Sequence, residues 1–438
     1  MHVGILGGGA LGLTAAYRLA QRGHRVVVLE RDDILGGLAS SFEVGGAHLE
    51  KFYHHIFRTD RVIADLADEL GLDSRLYWGR PKTSNLYGGR IHQLDSAPSV
   101  LRFSPLSLPG RLRLGMAIAY LKVQGGHRGF EGTTAAEWTR RWMGPEAYRV
   151  VMEPMLRAKF GDYYQQIAMP WLWSRFHERT SSLGYLRGGF HQLYARLAER
   201  IQELGSEIRL SHEVARIEEA PGGQVRVGLR ADGAERDEVF DAVVATLPTR
   251  LFLRLARGLP DAYRQKHDWG DHYGAHCAIL ALDRQLLRDN TYWLSVTDPE
   301  YPFLAVVEHT NFVDPADYGG LRLVYLGNYL PMGDPLFRRT DQEVLADFLP
   351  HLRKINPEFR ESWVRESWVF KAPFAQPIVT LDYHERIPPL KTPIPNLYLA
   401  NMFQVYPQDR GQNYSIKLAD EVAGLVAGGD CSTPAGRA

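Results

Sequence analysis

Cysteine is scarce in this chain of 438 residues: Cys277 and Cys431 are its only two, too far apart for a CxxC pair or a metal-ligand spacing. A disulfide framework is therefore excluded, and a reducing, cytoplasmic setting is expected. Charge of one sign is also missing, since Lys+Arg and Asp+Glu both number 51. A nucleic-acid binder would show a basic excess, so that class is set aside. No run approaches the roughly 18 apolar residues of a membrane-spanning helix. Leu114–Val123 comes nearest, but it is short, contains Lys122 and follows Arg111 and Arg113. Met1 and His2 lead straight into an apolar segment, without the basic stretch and small-residue cleavage pattern of a secretory signal. Histidines occur in pairs at most, with no third ligand at a recognised spacing, so no metal is expected.

What is present begins at once. His2–Leu6 reads as a short buried strand, and Gly7-Gly8-Gly9-Ala10-Leu11-Gly12 follows it. A helical segment, Leu13–Arg22, comes next, then Gly23 and a second apolar strand, Arg25–Leu29, ending at Glu30. Strand, glycine loop, helix, strand and acidic residue stand in the order of a dinucleotide-binding βαβ unit. Gly7 suits the tight turn, Gly9 lets backbone approach a pyrophosphate, and Gly12 lets helix and strand pack closely. Ala10 and Leu11 bring the N–H groups of the helix entry to the same phosphates. Glu30 is placed to accept hydrogen bonds from a ribose diol, and its charge would repel the 2′-phosphate of NADP. No second fingerprint follows: the glycines at 125–129 have neither a preceding strand nor a following acid.

A second glycine pair, Gly36-Gly37, stands close behind Glu30 and is followed by Leu38 and Ala39. Gly188-Gly189 precedes an amphipathic helix to Ile201, a strand near Glu207–Leu210 and the segment Glu213–Glu218. Asp241–Pro248 and Asn396–Asn401 read as further strands, and Arg410-Gly411-Gln412-Asn413 leads into a last helix from Ser415 to about Val426. In this order the segments resemble the FAD-dependent superfamily of amine oxidases, protoporphyrinogen oxidases and phytoene desaturases. The Tyr406–Arg410 segment resembles the UDP-galactopyranose mutase branch. The resemblance implies FAD as cofactor. It implies that Gly37, Leu38 and Ala39, with Arg31 nearby, pass the phosphates, and that Val214 holds the adenine by its backbone. It also implies that Thr246 ends a strand near the isoalloxazine, that Asn401 meets the ribityl chain, and that Arg410, Gly411, Gln412 and Asn413 meet the flavin pyrimidine. Two positions depart from the pattern: Leu38 stands where many members carry Arg, and Ala400-Asn401 where Gly-Asp is common.

The implied fold is α/β: a discontinuous Rossmann-type FAD-binding domain (1–51, 186–264 and 386–428) interleaved with an α+β substrate domain and helical cap (52–185 and 265–385), with 429–438 a flexible tail. The 97–165 stretch reads as helical and amphipathic, rich in Leu, Met and Arg, which suits either a domain core or peripheral membrane contact. Two polar clusters are candidates for proton transfer, His54-His55 after the second glycine pair and Glu308-His309 at a strand end. A histidine titrating near neutrality could take a substrate proton while a hydride leaves for flavin N5. The expected function is a FAD-dependent oxidase, dehydrogenase or desaturase of a small-molecule substrate. The alternatives are a redox-neutral mutase acting on a nucleotide sugar and, ranked last, an interaction module without catalysis. Oligomeric state and electron acceptor are open.

Overall fold

The computed structural model describes residues 1–428; the tail expected from 429 lies outside the described residues. Five parallel strands form one sheet in the order Glu207–Arg209, Arg25–Leu29, His2–Leu6, Ala242–Ala245, Leu397–Leu399. Their apolar residues run unbroken because both faces are covered. Val26 and Val28 face the core shared with the helices Ala10–Gln21, His191–Glu203 and Gln412–Val426. Val27 and Leu29 face the opposite way, into a cluster with Ile217, Val225, Val227 and Phe240 of a three-stranded antiparallel sheet. The first helix starts at Ala10, three residues before the sequence reading placed it, because Gly9 caps it and Gly12 fits inside its first turn.

A second sheet of seven strands runs in the order Val364–Pro377, His272–Leu282, Arg322–Leu330, Ala305–Glu308, Thr291–Val296, Lys82–Tyr87, Arg90–Gln93. Alternation along His272–Leu282 explains its place. Cys277, Ile279 and Ala281 point to the core shared with the parallel sheet's helices, and Ala278, Leu280 and Leu282 to a separate one with Val344, Phe348 and Leu352 of helix Asp341–Ile355. The stretch expected to be helical over 97–165 is a stack of separate helices, broken before Ser107, around Gly125-Gly126 and at Gly144. Its core gathers Leu114, Leu121, Trp138, Phe160, Trp171 and Leu172.

Helix Leu108–Val123 is apolar on two faces. Leu114, Ala117 and Leu121 are buried, whereas Met116 is 67% and Val123 80% exposed, in line with exposed Leu108, Leu112 and Tyr120. Among the described residues no helix is long and apolar enough to cross a membrane.

Glu50 ties the large sheet to the entry of helix His191–Glu203, which packs on the parallel sheet. It is fully buried, and its carboxylate accepts from the Tyr185 hydroxyl and the Phe190 N–H, both at 2.6 Å. Its carbonyl accepts from Tyr325 of the large sheet at 2.8 Å. Burial pushes the Glu50 carboxyl up to about 6, against the pull of both donors. Glu50→Ala is expected to lower stability, since each orphaned donor costs about 1–3 kcal/mol. Because the folded value is raised, the stability that Glu50 adds declines as pH rises through about 6. Urea unfolding of both proteins from acid to neutral pH should therefore show the gap between them narrowing.

Candidate active site

The two glycine loops meet backbone to backbone. Gly36 N–H donates to the Gly8 carbonyl at 2.9 Å, and Gly9 pairs with Gly36 as in a short parallel bridge. Gly36 and Gly37 have φ of +109° and +56°, values that favour glycine. A Cβ on Gly37 would lie 3.4 Å from the Gly9 Cα, so side chains on either loop would fill the groove between them. A Cβ on Gly12 would run into the Gly7 carbonyl oxygen, which is the close helix–strand contact that only glycine permits. Glu30 sits at the back of this groove, 9% exposed. Its carboxylate accepts from Gly8 N–H at 2.6 Å and from Asp32 N–H at 2.9 Å. Each carboxylate oxygen still has a lone pair to offer a diol. The backbone of Glu30 accepts from His212 N–H at 2.8 Å, which brings the strand bearing Val214 alongside. These features fit a dinucleotide cofactor.

The other candidates are arranged as follows. Thr246 donates from its N–H and its hydroxyl to the Leu6 carbonyl, at 2.9 and 2.8 Å, and its side chain closes against Gly7. Arg31 is exposed and paired with Asp32 at 3.1 Å. Ala39 is buried, while Leu38 joins Phe52 and Tyr329 over Ala275, Ala372 and Ala375 of the large sheet. Asn401 is buried and engaged at both ends: its amide donates to the Leu247 carbonyl at 2.7 Å, and its oxygen accepts from Phe403 N–H at 3.0 Å. Gln412 accepts from the Tyr194 hydroxyl, and Asn413 accepts from Ile63 N–H at 3.1 Å. What the helix after Gly411 has free for a ligand is thus its first-turn N–H groups and the positive end of its dipole.

A set of residues not singled out in the sequence surrounds Asp409. Lys159 Nζ stands 2.9 Å from its Oδ2, and Arg175 and Arg179 each place a guanidinium nitrogen at 3.3 Å. Gln376 Nε2 reaches the other carboxylate oxygen at 3.4 Å. The neighbouring Arg410 donates to the Tyr329 hydroxyl at 2.6 Å, and Tyr329 leads back to Leu38 of the second glycine loop. Three cations thus share one carboxylate, with Arg410 close by as a fourth. Burial, reinforced by Arg175, Arg410 and Arg179, pushes Lys159 down to about 7 although Asp409 opposes the shift. Burial likewise pushes Arg179 down to about 9, and Asp409 is held far below the ordinary carboxylate range by the surrounding cations despite its burial.

His54 and His55 border this cluster; Glu308 and His309 do not. The His54 Nδ1 lies 2.6 Å from the Phe52 carbonyl, so that nitrogen carries the proton and Nε2 is left as an acceptor. Burial, together with Arg410, pushes His54 down to about 4, and burial with Arg179 next pushes His55 down to about 3. His55 Nδ1 meets the Tyr292 hydroxyl at 3.1 Å. Glu308 has no exposed surface and accepts from Leu286 and Leu287 N–H at 2.9 and 2.6 Å, stapling a loop. His309 is packed against Tyr318, whose hydroxyl lies 3.0 Å from Nε2. The cation cluster had one sequence signal. Trp171, Arg175 and Arg179 recur every four residues, which puts Trp171 and Arg175 on one helix face and Arg179 just past its end.

The family model for flavin containing amine oxidoreductases matches residues 12–407. A 15-cis-phytoene desaturase of Narcissus pseudonarcissus is 24% identical over 444 residues, covering 91% of this chain and 75% of that protein. The chain spans only about half the length (49–50%) of four further plant desaturases of that name. Among solved structures, an Exiguobacterium protein assigned as a protoporphyrinogen oxidase superposes with a TM-score of 0.76 at 19% identity, over 98% of this chain and 99% of that one. Reduced UDP-galactopyranose mutase superposes with a TM-score of 0.75 at 16% identity, over 98% and 95%. At these identities the structural likeness speaks for the fold.

The charge imbalance makes a prediction. Asp409→Asn leaves Lys159, Arg175 and Arg179 without their shared partner, and breaking a fully buried pair costs on the order of 3–5 kcal/mol, an upper bound for this partly buried cluster. Thermal unfolding should show a clear drop in midpoint, partly recovered by added inorganic phosphate.

Proposed function

The chain belongs to the family of flavin containing amine oxidoreductases and is a flavin-dependent oxidoreductase; on that premise we propose that its flavin is FAD and that it takes a hydride from a C–H bond of an organic small molecule, as an oxidase, dehydrogenase or desaturase. The observation that carries this reading is the groove between Gly7–Gly9 and Gly36–Gly37 with Glu30 behind it. Gly9, Ala10, Leu11, Gly12 and Gly37 would receive the pyrophosphate, Glu30 the ribose and Val214 the adenine. Thr246, Asn401 and the helix entry at Arg410–Asn413 would border the flavin end. FAD supplies a two-electron acceptor for the substrate hydride. The protein's part is orientation and dryness. Phe52 and Tyr329, with Leu38, present an apolar wall over small alanines, and His54, kept neutral, offers Nε2 to a departing proton. Residues 1–51, 186–264 and 386–428 form the FAD unit in this reading, and 52–185 with 265–385 form the substrate unit.

The purified protein is expected to show a flavin absorption spectrum that a substrate bleaches anaerobically without added reductant. Gly9→Val should keep the circular dichroism of the fold and lose the flavin. Turnover that begins only after prereduction, with no acceptor consumed, would replace this reading by a redox-neutral rearrangement.

We also propose that the exposed side of helix Leu108–Val123 rests on an anionic membrane surface. Two observations support it. The apolar stripe from Leu108 to Val123 is continued by exposed Leu101 and Trp142. Residues 97–160 carry ten Arg and Lys against four Glu, in a chain that is neutral as a whole. Sedimentation with vesicles rich in anionic lipid should carry the protein down, less so in high salt. The double change Met116→Glu and Val123→Glu should abolish this, and sedimentation unaffected by that change would refute the assignment.

A further inference from the structure

The cluster around Asp409 is poorly explained as a structural ion pair. Structural pairs tend toward neutrality, because a buried charge without a partner is costly. Here Lys159, Arg175 and Arg179 all converge on Asp409, and Arg410 adds a fourth cation. Asp60 and Glu178 lie near Arg179, but Asp60 accepts from Phe57 N–H at 2.8 Å and Glu178 from Gln408 at 3.4 Å. Neither forms a salt bridge with Arg179 among the described residues. A second observation points to a missing partner: the Nε of Arg410 is buried without any acceptor. Phe160, Trp171 and Tyr329 surround the Lys159 ammonium with ring faces, which holds it in place without neutralising it.

Resting on the flavin reading of the neighbouring groove, we propose that Lys159, Arg175, Arg179 and Arg410 form the seat for an oxyanion of the substrate, a phosphate or diphosphate ester or else a carboxylate. Guanidinium groups suit such planar, multidentate oxygens. Arg175 comes from helix Met169–Glu178 and Arg179 from the residue that ends it, Lys159 from the preceding helix Glu153–Phe160, and Arg410 from the entry to the last helix. Three separate segments therefore surround one point, next to the Leu38–Phe52–Tyr329 wall. Asp409 keeps the cations in register while the seat is empty, leaving an excess of positive charge for the incoming group. A substrate would thus be held by its anionic end while its oxidisable carbon lies toward the wall.

The test is calorimetric titration of the flavin-loaded protein with inorganic pyrophosphate, with citrate as the carboxylate probe and sodium chloride as the ionic-strength control. Saturable binding is expected. Arg175→Gln and Arg179→Gln should each weaken it by roughly tenfold or more while flavin content stays unchanged. Both variants remove repulsion and should melt no lower than the parent without anion, and Lys159→Met serves as a third probe if either fails to fold. Tighter binding of citrate than of pyrophosphate would assign the seat to carboxylates, and the reverse to phosphates. Absence of binding by both probes, or equal binding by parent and variants, would overturn the proposal, as would loss of flavin in the Arg variants. If the protein carries no flavin, the cofactor reading fails on its own. Pyrophosphate binding retained by Gly9→Val would then still support the seat, and its loss there would refute it.

Discussion

The hydrogen bond from Gly36 N–H to the Gly8 carbonyl, with Glu30 accepting from Gly8 N–H beside it, is the contact on which the rest of the architecture leans. It joins two loops that belong to different turns of the chain and sets the width of the groove between them. From that groove Leu38 reaches the large sheet, and through Tyr329 it reaches Arg410. Glu30 holds the strand bearing Val214 by its carbonyl, so the far wall is fixed by the same residue. The loops are held by the protein's own bonds, and a ligand entering them has little backbone left to order.

What could be read from the sequence follows from how local each signal is. Gly7, Gly9, Gly12 and Glu30 act within one βαβ unit, and their spacing alone carries their geometry. The second glycine pair was legible through the family resemblance, and Arg25–Leu29 was legible as an apolar strand. The Asp409 cluster was not legible, because Lys159, Arg175 and Asp409 come together only when the helical cap closes on the last helix's entry. A four-residue repeat of Trp and Arg hinted at it, but the same repeat would describe a solvated face. Glu308 and His309 mislead in the opposite direction. Adjacent ionisable residues at a strand end look catalytic, yet the alternation of a strand decides which side they face, and here Glu308 closes a loop through Leu286 and Leu287. Asn401 and Asn413 show a subtler limit: their side chains are committed to other backbone groups, which no pattern of residue types reveals.

Electrostatics divides the molecule more sharply than composition suggests. A chain with equal numbers of acids and bases concentrates its positive charge in the cap, both on the outside near Arg113, Arg140 and Arg141 and on the inside at Arg175 and Arg179. Glu50 and Glu308 are buried instead with backbone or hydroxyl donors, so burial raises their pKa values. The contrast between these carboxyls and Asp409 comes from neighbours, since Asp409 alone is ringed by cations.

Helix Met169–Glu178 stands between those two positive regions. Arg175 and the following Arg179 point inward, while Trp173 donates to the Gln124 carbonyl at 3.1 Å and His177 lies against the Leu121 carbonyl on the exposed helix. Lys122 of that outer helix also donates to the Arg179 carbonyl. One ten-residue helix therefore holds contacts on both of its sides at once. Substitution on its outer side alters the footing of its inner guanidinium groups, so the outer helix and the cation cluster can change independently only by compensated change.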